Sequence, residues 1–253
     1  MNLLSLDTST EFLSLALQAI DVQGRDKLYT HHQHAGNASS ELILPQIQAL
    51  LDAANMTLKD LHGIAFGAGP GAFTGVRIAC GVAQGLGFGA NIPVVGINTL
   101  LAVAQASGAD KVIVCLDARM GEIYHAAFLK QENQWQENEW LELHETKVCK
   151  LEAAPVILKD KLPAGAPLEI THRKDWVGAG SGWAVYGDIL REIYAENLEN
   201  ILTNITPTAE AILQLAKPIF AAGEAKPASE AAPLYIRNRV ALTTLQREAG
   251  QRL

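Results

Sequence analysis

Gly67-Ala68-Gly69-Pro70-Gly71-Ala72-Phe73-Thr74-Gly75-Val76-Arg77, running on to Ala90, is the stretch from which the fold can be read. The apolar run Ile64-Ala65-Phe66 reads as a strand entering it, three glycines in five residues turn it, and a helix leaves it. That helix holds Gly75, Gly81, Gly85, Gly87 and Gly89. Each helical glycine costs roughly 0.5–1 kcal/mol relative to alanine, so the five cost roughly 3–5 kcal/mol, which close packing has to offset. Gly81, Gly85 and Gly89 recur every fourth residue and share one face, leaving a groove where another backbone can approach. Ile78, Val82 and Leu86 make a neighbouring apolar stripe. The groove reads in two ways, as packing against the domain's own elements or as a dock for a partner helix.

The same pattern returns further on. Gly67-Ala68-Gly69-Pro70-Gly71 reappears as Gly178-Ala179-Gly180-Ser181-Gly182, shifted by 111 residues, and Leu6-Asp7 with Leu13 and Ala16 reappears as Leu116-Asp117 with Ile123 and Ala126, shifted by 110. Each glycine cluster follows an expected strand and precedes an expected helix, residues 184–193 in the second case. The economical reading is a duplicated α/β domain with lobes at 1–106 and 107–253.

Working outward in the first copy, residues 3–6 and 12–17 read as a hairpin about Asp7-Thr8-Ser9-Thr10, with a third strand at 27–32. Ser39-Ser40-Glu41 looks like a helix start, with Ile43, Ile47, Leu50, Leu51 and Ala54 at helical spacing. Pro45 either starts or bends that helix. Thr57-Leu58-Lys59-Asp60 fits a capping box, and 92–96 and 99–105 read as a strand and a helix. In the second copy, 131–140 reads as an exposed polar hairpin or loop, and 150–170 is mixed. Thr206-Pro207 looks like a helix start with Pro in the first turn; Ile212, Leu215 and Ile219 mark the buried side and Gly223 the end. Residues 225–233 read as an Ala/Pro-rich linker, Leu234-Tyr235-Ile236-Arg237 as extended, and the tail from Thr243 as polar and frayed.

Composition bounds the function. Of 253 residues, 49% are hydrophobic and 19% charged, which describes a globular chain with ample core. A net charge of −7, with no dense Lys/Arg patch, argues against a freestanding nucleic-acid binder. Cys80, Cys115 and Cys149 are odd in number and widely spaced, and read as reduced thiols of a cytosolic protein. The N-terminus lacks a basic n-region and Asp7 interrupts its apolar run, so no signal peptide is expected. Arg77 and Gln84 lie within the glycine-rich helix, which falls short of a membrane span. The expected location is the cytoplasm.

Each candidate for chemistry meets a plainer alternative. Glycine-rich strand-to-helix turns often hold phosphate, and two facing copies with a hairpin Asp each resemble the layout of actin-like and sugar-kinase ATPases. Neither cluster is a P-loop or a clean G-x-G-x-x-G, and glycines also serve simply to make a tight turn. Asp7 and Asp117 could ligate magnesium or position a water; with no second carboxylate nearby, capping their own turns is favoured. In His31-His32-Gln33-His34 only His32 and His34 can share a strand face, and no third ligand has the right spacing. Ser181 lacks the nucleophile elbow, because Ala179 and Trp183 flank it at two residues. Arg77 either reaches an anion or a partner carboxylate, or extends its head to water from a buried stem. The residues thus supply no catalytic, cofactor-binding or metal-binding set. They supply a candidate partner interface: Arg77, Ile78, Gly81, Val82, Gly85 and Gly89 on the glycine-rich helix, with Leu42 and Leu50 on the helix at 42–54.

Leu-Asp-Thr-Ser-Thr at 6–10, Gly-Pro-Gly-Ala-Phe-Thr-Gly-Val-Arg-Ile at 69–78, Gly-Ile-Asn-Thr-Leu at 96–100, Asp-Ala-Arg-Met-Gly-Glu-Ile-Tyr at 117–124 and Pro-Leu-Tyr-Ile-Arg at 233–237 resemble the bacterial TsaB family, also called YeaZ. The resemblance spans nearly the whole chain and is weakest in the middle of the second copy. It implies an α/β, duplicated actin-like/ribonuclease-H-like (ASKHA) fold of two lobes, each a mixed sheet flanked by helices. It also implies a paralogue of TsaD, the threonylcarbamoyl-transferring subunit, whose His-x-x-x-His metal pair falls here on Thr99 and Val103. Neither side chain can replace an imidazole on a metal, and this departure also weakens the peptidase activity sometimes attached to the superfamily. The implied role is a non-catalytic partner subunit that binds TsaD through the first lobe. With the ATPase TsaE it would support transfer of threonylcarbamoyl to adenosine 37 of tRNAs reading A-starting codons. ATP and metal are then expected only through partner subunits, tRNA contact only indirectly, and a homodimer when TsaD is absent. The alternative from the residues is an actin-like ATPase that binds nucleotide between its lobes.

Overall fold

The computed structural model describes residues 1–21, 23–131, 139–154 and 174–236. Most of the expected polar segment at 131–140, most of 150–170, Arg237 and the tail from Thr243 lie outside these residues. The chain forms two five-stranded sheets. The first holds β1 (Leu3–Asp7), β2 (Phe12–Ile20), β3 (Asp26–His34), β4 (Gly63–Gly69) and β5 (Val94–Asn98), in the order β3-β2-β1-β4-β5. The second holds β6 (Lys111–Asp117), β7 (Glu122–Gln131), β8 (Glu139–Lys150), β9 (Trp176–Ala179) and β10 (Leu198–Leu202), in the order β10-β9-β6-β7-β8. Read from the other edge, the second order repeats the first strand for strand. In both sheets the first three strands pair antiparallel and the remaining contacts are parallel.

Duplication extends to the backbone of the turns. Gly69 and Gly180 both adopt φ +105°, a conformation that L side chains rarely take. The glycine after each, Gly71 or Gly182, lies against the backbone of the first strand's end: a Cβ on Gly71 would press on Ser9, and one on Gly182 on Cys115. The first turn leads into α2 (Phe73–Ala90). The second leads into two short helices, α4 (Ser181–Val185) and α5 (Gly187–Ile193), which meet at Tyr186. The single helix expected at 184–193 is broken there, where Tyr186 has left helical geometry (φ −121°, ψ 23°) and its hydroxyl donates to Asp117 Oδ1 at 3.3 Å.

Alternation along the strands sorts the cores. Leu4, Leu6, Leu13, Leu15 and Leu17 face α1 (Ser39–Ala53) and α2, packing with Ile43, Ile47, Leu50, Leu51, Ala79 and Ala83. Pro45 lies inside α1 rather than at its start. Leu3 and Ala16 point the opposite way, onto α6 (Ala209–Ala221). Ser5 and Ser14 fix that helix: Ser5 Oγ donates to the Ala209 carbonyl at 2.6 Å, and the Ala209 N–H donates to Ser14 Oγ at 2.9 Å. The start of α6 is capped by Thr208, which accepts from the Ala211 N–H, so Pro207 precedes the cap instead of sitting in the first turn. Between the sheets lies α3 (Thr99–Ser107), with Leu100, Val103 and Ala104 packed on Val112, Val114 and Phe128.

The C-terminal course corrects the expected division of the chain. α6 and the segment through Leu234 return to the first sheet, so the boundary near 107 separates the two sheets but does not assign everything after it to the second lobe. The expected linker at 225–233 is packed structure. Lys226 pairs with Val94 in an isolated bridge, Ala228 is buried against α2, and the Leu234 N–H donates to the Ala68 carbonyl at 2.7 Å. Ala228 and Ala231 pack into the first core and Ala225 against α6, so small residues that read as a linker are used for close packing.

Candidate partner-docking face

α2 has two glycine faces with opposite fates. Gly75 and Gly87 are buried with Ala79 and Ala83, one residue per turn, and this row is the one that meets the protein's own backbone. A Cβ on Gly75 would fall onto the Thr8 carbonyl, and one on Gly87 would sit 2.9 Å from the Ile92 carbonyl and from Ala228 Cβ. Gly81, Gly85 and Gly89 are exposed, with open space where a Cβ would stand. Close packing therefore offsets two of the five glycines. Of the other three, Gly81 and Gly85 line a depression of about 430 Å³ with Gln84, Phe88 and Ser229.

The structure divides the sequence-selected residues. Arg77, Gly81, Gly85 and Gly89 share the outer face of α2. Ile78, Val82 and Leu42 are half-buried against the first core. Leu50 is buried in that core, so it is not available to a partner and leaves the candidate interface. The residues that sequence reading missed are aromatic. Phe88 is 76% exposed, Phe73 62% and Tyr235 55%. Phe73 and Phe88 sit four residues before Arg77 and three after Gly85, helical spacings that put them on the glycine face. Tyr235 had no such signal, because the returning segment carries it there.

Around the glycine turns, the carboxylates serve the fold. Asp7 Oδ1 accepts from the Ser9 N–H at 3.0 Å and the Ser9 hydroxyl at 2.9 Å. Asp7 Oδ2 is buried and finds no hydrogen-bond partner among the described residues; a Cβ on Gly67 would land on it. Burial pushes the Asp7 carboxyl up to about 6, against the lowering effect of Ser9. Asp117 accepts from the Arg119 N–H at 2.9 Å, and its Oδ2 lies 3.2 Å from the Arg119 guanidinium. Both aspartates thus cap their own turns, as their place after a strand leads one to expect.

Other singled-out residues fall in plain settings. Thr99 is buried and donates to the Pro70 carbonyl, and Val103 is buried in the α3 core. His32 stacks on Phe12 with ring centroids 4.8 Å apart, and His34 meets the same ring edge-on at 5.6 Å. These two histidines do share a strand face. Ser181 Oγ accepts from the Asp117 N–H at 3.1 Å, within the second turn. Cys80 and Cys115 are buried and Cys149 half-buried, all as free thiols. No described helix is long and apolar enough to cross a membrane.

Comparison with known proteins gives this face a context. Residues 30–244 match the family model described as TsaD, tRNA N6-adenosine threonylcarbamoyltransferase. The tRNA threonylcarbamoyladenosine biosynthesis protein TsaB of Escherichia coli is 34% identical over 95% of this chain and 96% of its own length. Its namesake in Haemophilus influenzae is 32% identical over 95% of both chains. Among solved structures, a Pseudomonas aeruginosa protein described as similar to peptidase YEAZ aligns with TM-score 0.75 and 35% identity, covering 93% of this chain and 99% of that one. YeaZ from Pseudomonas aeruginosa aligns with TM-score 0.72 at 35% identity, over 92% and 99%. With one strand order repeated in two sheets, the architecture is the duplicated actin-like, ribonuclease-H-like α/β fold. On sequence and fold together, the chain belongs to the TsaB (YeaZ) family.

Proposed function

We propose that this chain is a partner subunit in the formation of threonylcarbamoyladenosine on tRNA, and that the reacting groups are held by a TsaD-type relative and not by this chain. Its outer α2 face docks onto that relative, and a TsaE-type ATPase completes the cytoplasmic assembly. ATP and metal enter through those partners, tRNA is met indirectly, and copies of this chain pair with each other when the relative is absent. The observation that carries the reading is the open glycine row Gly81-Gly85-Gly89, flanked by exposed Phe73 and Phe88. Exposed glycines in a helix weaken it without any internal packing in return, and a helix of another chain seated in the depression would supply that return.

The test is co-purification with the TsaD-type subunit from the same organism. A stable complex is expected, and two chains that elute separately would overturn the proposal. Gly85→Leu should fill the depression and lower affinity at least about tenfold, a loss of about 1.4 kcal/mol, while the free chain keeps its fold because a Cβ there meets open space. One observation favours a second reading, an actin-like ATPase: the buried Oδ2 of Asp7 beside the first glycine turn, which has no hydrogen-bond partner among the described residues. Calorimetric titration of the isolated chain with magnesium and ATP separates the two. Micromolar binding that Asp7→Ala abolishes would favour the ATPase.

A further inference from the structure

Arg77 is the one charged side chain of α2, whose eighteen residues otherwise contain neither acid nor base. It is held in an unusual way. Its guanidinium carbon lies 3.2 Å from the centroid of the Phe73 ring and 5.1 Å from that of Tyr235. Phe73 stands one turn back on the same helix, whereas Tyr235 arrives from the returning C-terminal segment, fixed by the hydrogen bond of Leu234 N–H to the Ala68 carbonyl. The fold therefore assembles the clamp from two rings 162 positions apart in sequence, and both remain more than half exposed.

Two aromatic rings this close hold the guanidinium by cation–π attraction without using any of its five N–H donors. No carboxylate of the described residues forms an ion pair with it. The planar guanidinium fork, restrained by its aromatic neighbours, matches a carboxylate bidentately. Arg77 stands one helical turn before Gly81, on the helix face that carries the glycine depression and Phe88.

We infer that Arg77, clamped between Phe73 and Tyr235, receives an aspartate or glutamate side chain of the protein that docks on α2. This rests on the docking reading above and adds the chemistry of its specificity. A carboxylate is favoured over an RNA phosphate on two grounds. The chain has a net charge of −7, and RNA binding draws on many cations at once, whereas α2 itself carries one. Rim charges of this kind choose partners and fix register more than they add affinity.

The test uses the full chain with the TsaD-type subunit, measuring affinity at low and high salt. Arg77→Ala should weaken binding about three- to tenfold at low salt, with a smaller loss at high salt. Arg77→Glu should weaken it further. Arg77→Lys should restore binding only partly, since an ammonium keeps the charge but loses the fork. Reversing one acidic residue of the partner to Arg should rescue Arg77→Glu and no other variant. Thermal unfolding of the free variants should match the wild type, because Arg77 is exposed. If Arg77→Ala binds within twofold of wild type while Gly85→Leu does not, the carboxylate contact is overturned and docking survives. If neither change matters, docking fails as well. If Arg77→Ala leaves the protein complex intact but releases tRNA from it, the clamp serves RNA and the inference is overturned.

Discussion

Asp7 keeps Oδ1 occupied by the backbone N–H and hydroxyl of Ser9 and turns Oδ2 into the space left by Gly67. The first half of that arrangement is legible in Asp7-Thr8-Ser9, because an Asp two residues before a hydroxyl in a turn caps it locally. The second half depends on Gly67 sixty residues away, and no local pattern encodes it. Burial raises the carboxyl to about 6 from an ordinary 3.8. Between those values the native state holds a proton that the unfolded chain has released, so stability falls as pH rises from about 4 to 6 and then stays at the lower level. At about 1.4 kcal/mol per unit, the site costs about 3 kcal/mol at neutral pH. Asp7→Asn removes that titration. Urea unfolding at pH 4.5 and 7.5 should show the variant gaining on wild type by about 2 kcal/mol at the higher pH. A difference that does not move with pH would mean that Oδ2 is better satisfied than its surroundings indicate.

At the scale of the element, α2 shows what spacing can and cannot reveal. Five glycines announce that something unusual meets the helix, and the i, i+4 rule groups them correctly. It does not say which group faces inward. Gly75-Ala79-Ala83-Gly87 and Gly81-Gly85-Gly89 are both rows of small residues, and only the placement of the Thr8 carbonyl and Ala228 decides between them. Leu50 illustrates the same limit on α1, where an apolar residue suited to an interface proves to be core. The two rows predict opposite responses to one substitution. Gly85→Ala adds a methyl in open space and should raise stability by about 0.5–1 kcal/mol through helix propensity. Gly75→Ala drives a methyl into the Thr8 backbone and should cost about 2 kcal/mol or more. Thermal unfolding of the pair decides it; equal shifts of the same sign would mean that the rows have been assigned wrongly.

Across the whole molecule, the duplication was legible because glycine turns tolerate little change, and Gly69 and Gly180 share a φ to prove it. The return of α6 to the first sheet was not, since the apolar side of a helix says that it is buried but not against which sheet. The second lobe has its own conflict of charge and burial. His125 on β7 is fully buried, with Nε2 2.7 Å from the Tyr194 hydroxyl and Nδ1 without a hydrogen-bond partner among the described residues. Burial, aided by His144 and Lys147, lowers it to about 3 from 6.5. Here the sign is reversed from Asp7. The unfolded chain takes up a proton below 6.5 that the native state refuses, so stability is lost as pH falls from there toward 3. At pH 5 the loss is about 2 kcal/mol, while Asp7 gives the first lobe about 1.4 kcal/mol in its favour over the same interval. Acid should therefore loosen the second sheet before the first, with α3 between them marking how far the opening spreads. Hydrogen exchange at pH 5 and 7.5, corrected for intrinsic rates, should show β6 and β7 losing protection while β1 and β4 keep theirs. His125→Gln, which leaves Tyr194 a polar neighbour and removes the titration, should abolish most of that difference. If both sheets loosen together, or the variant keeps the acid response, then the two lobes open as one unit and His125 is not the group that senses acid.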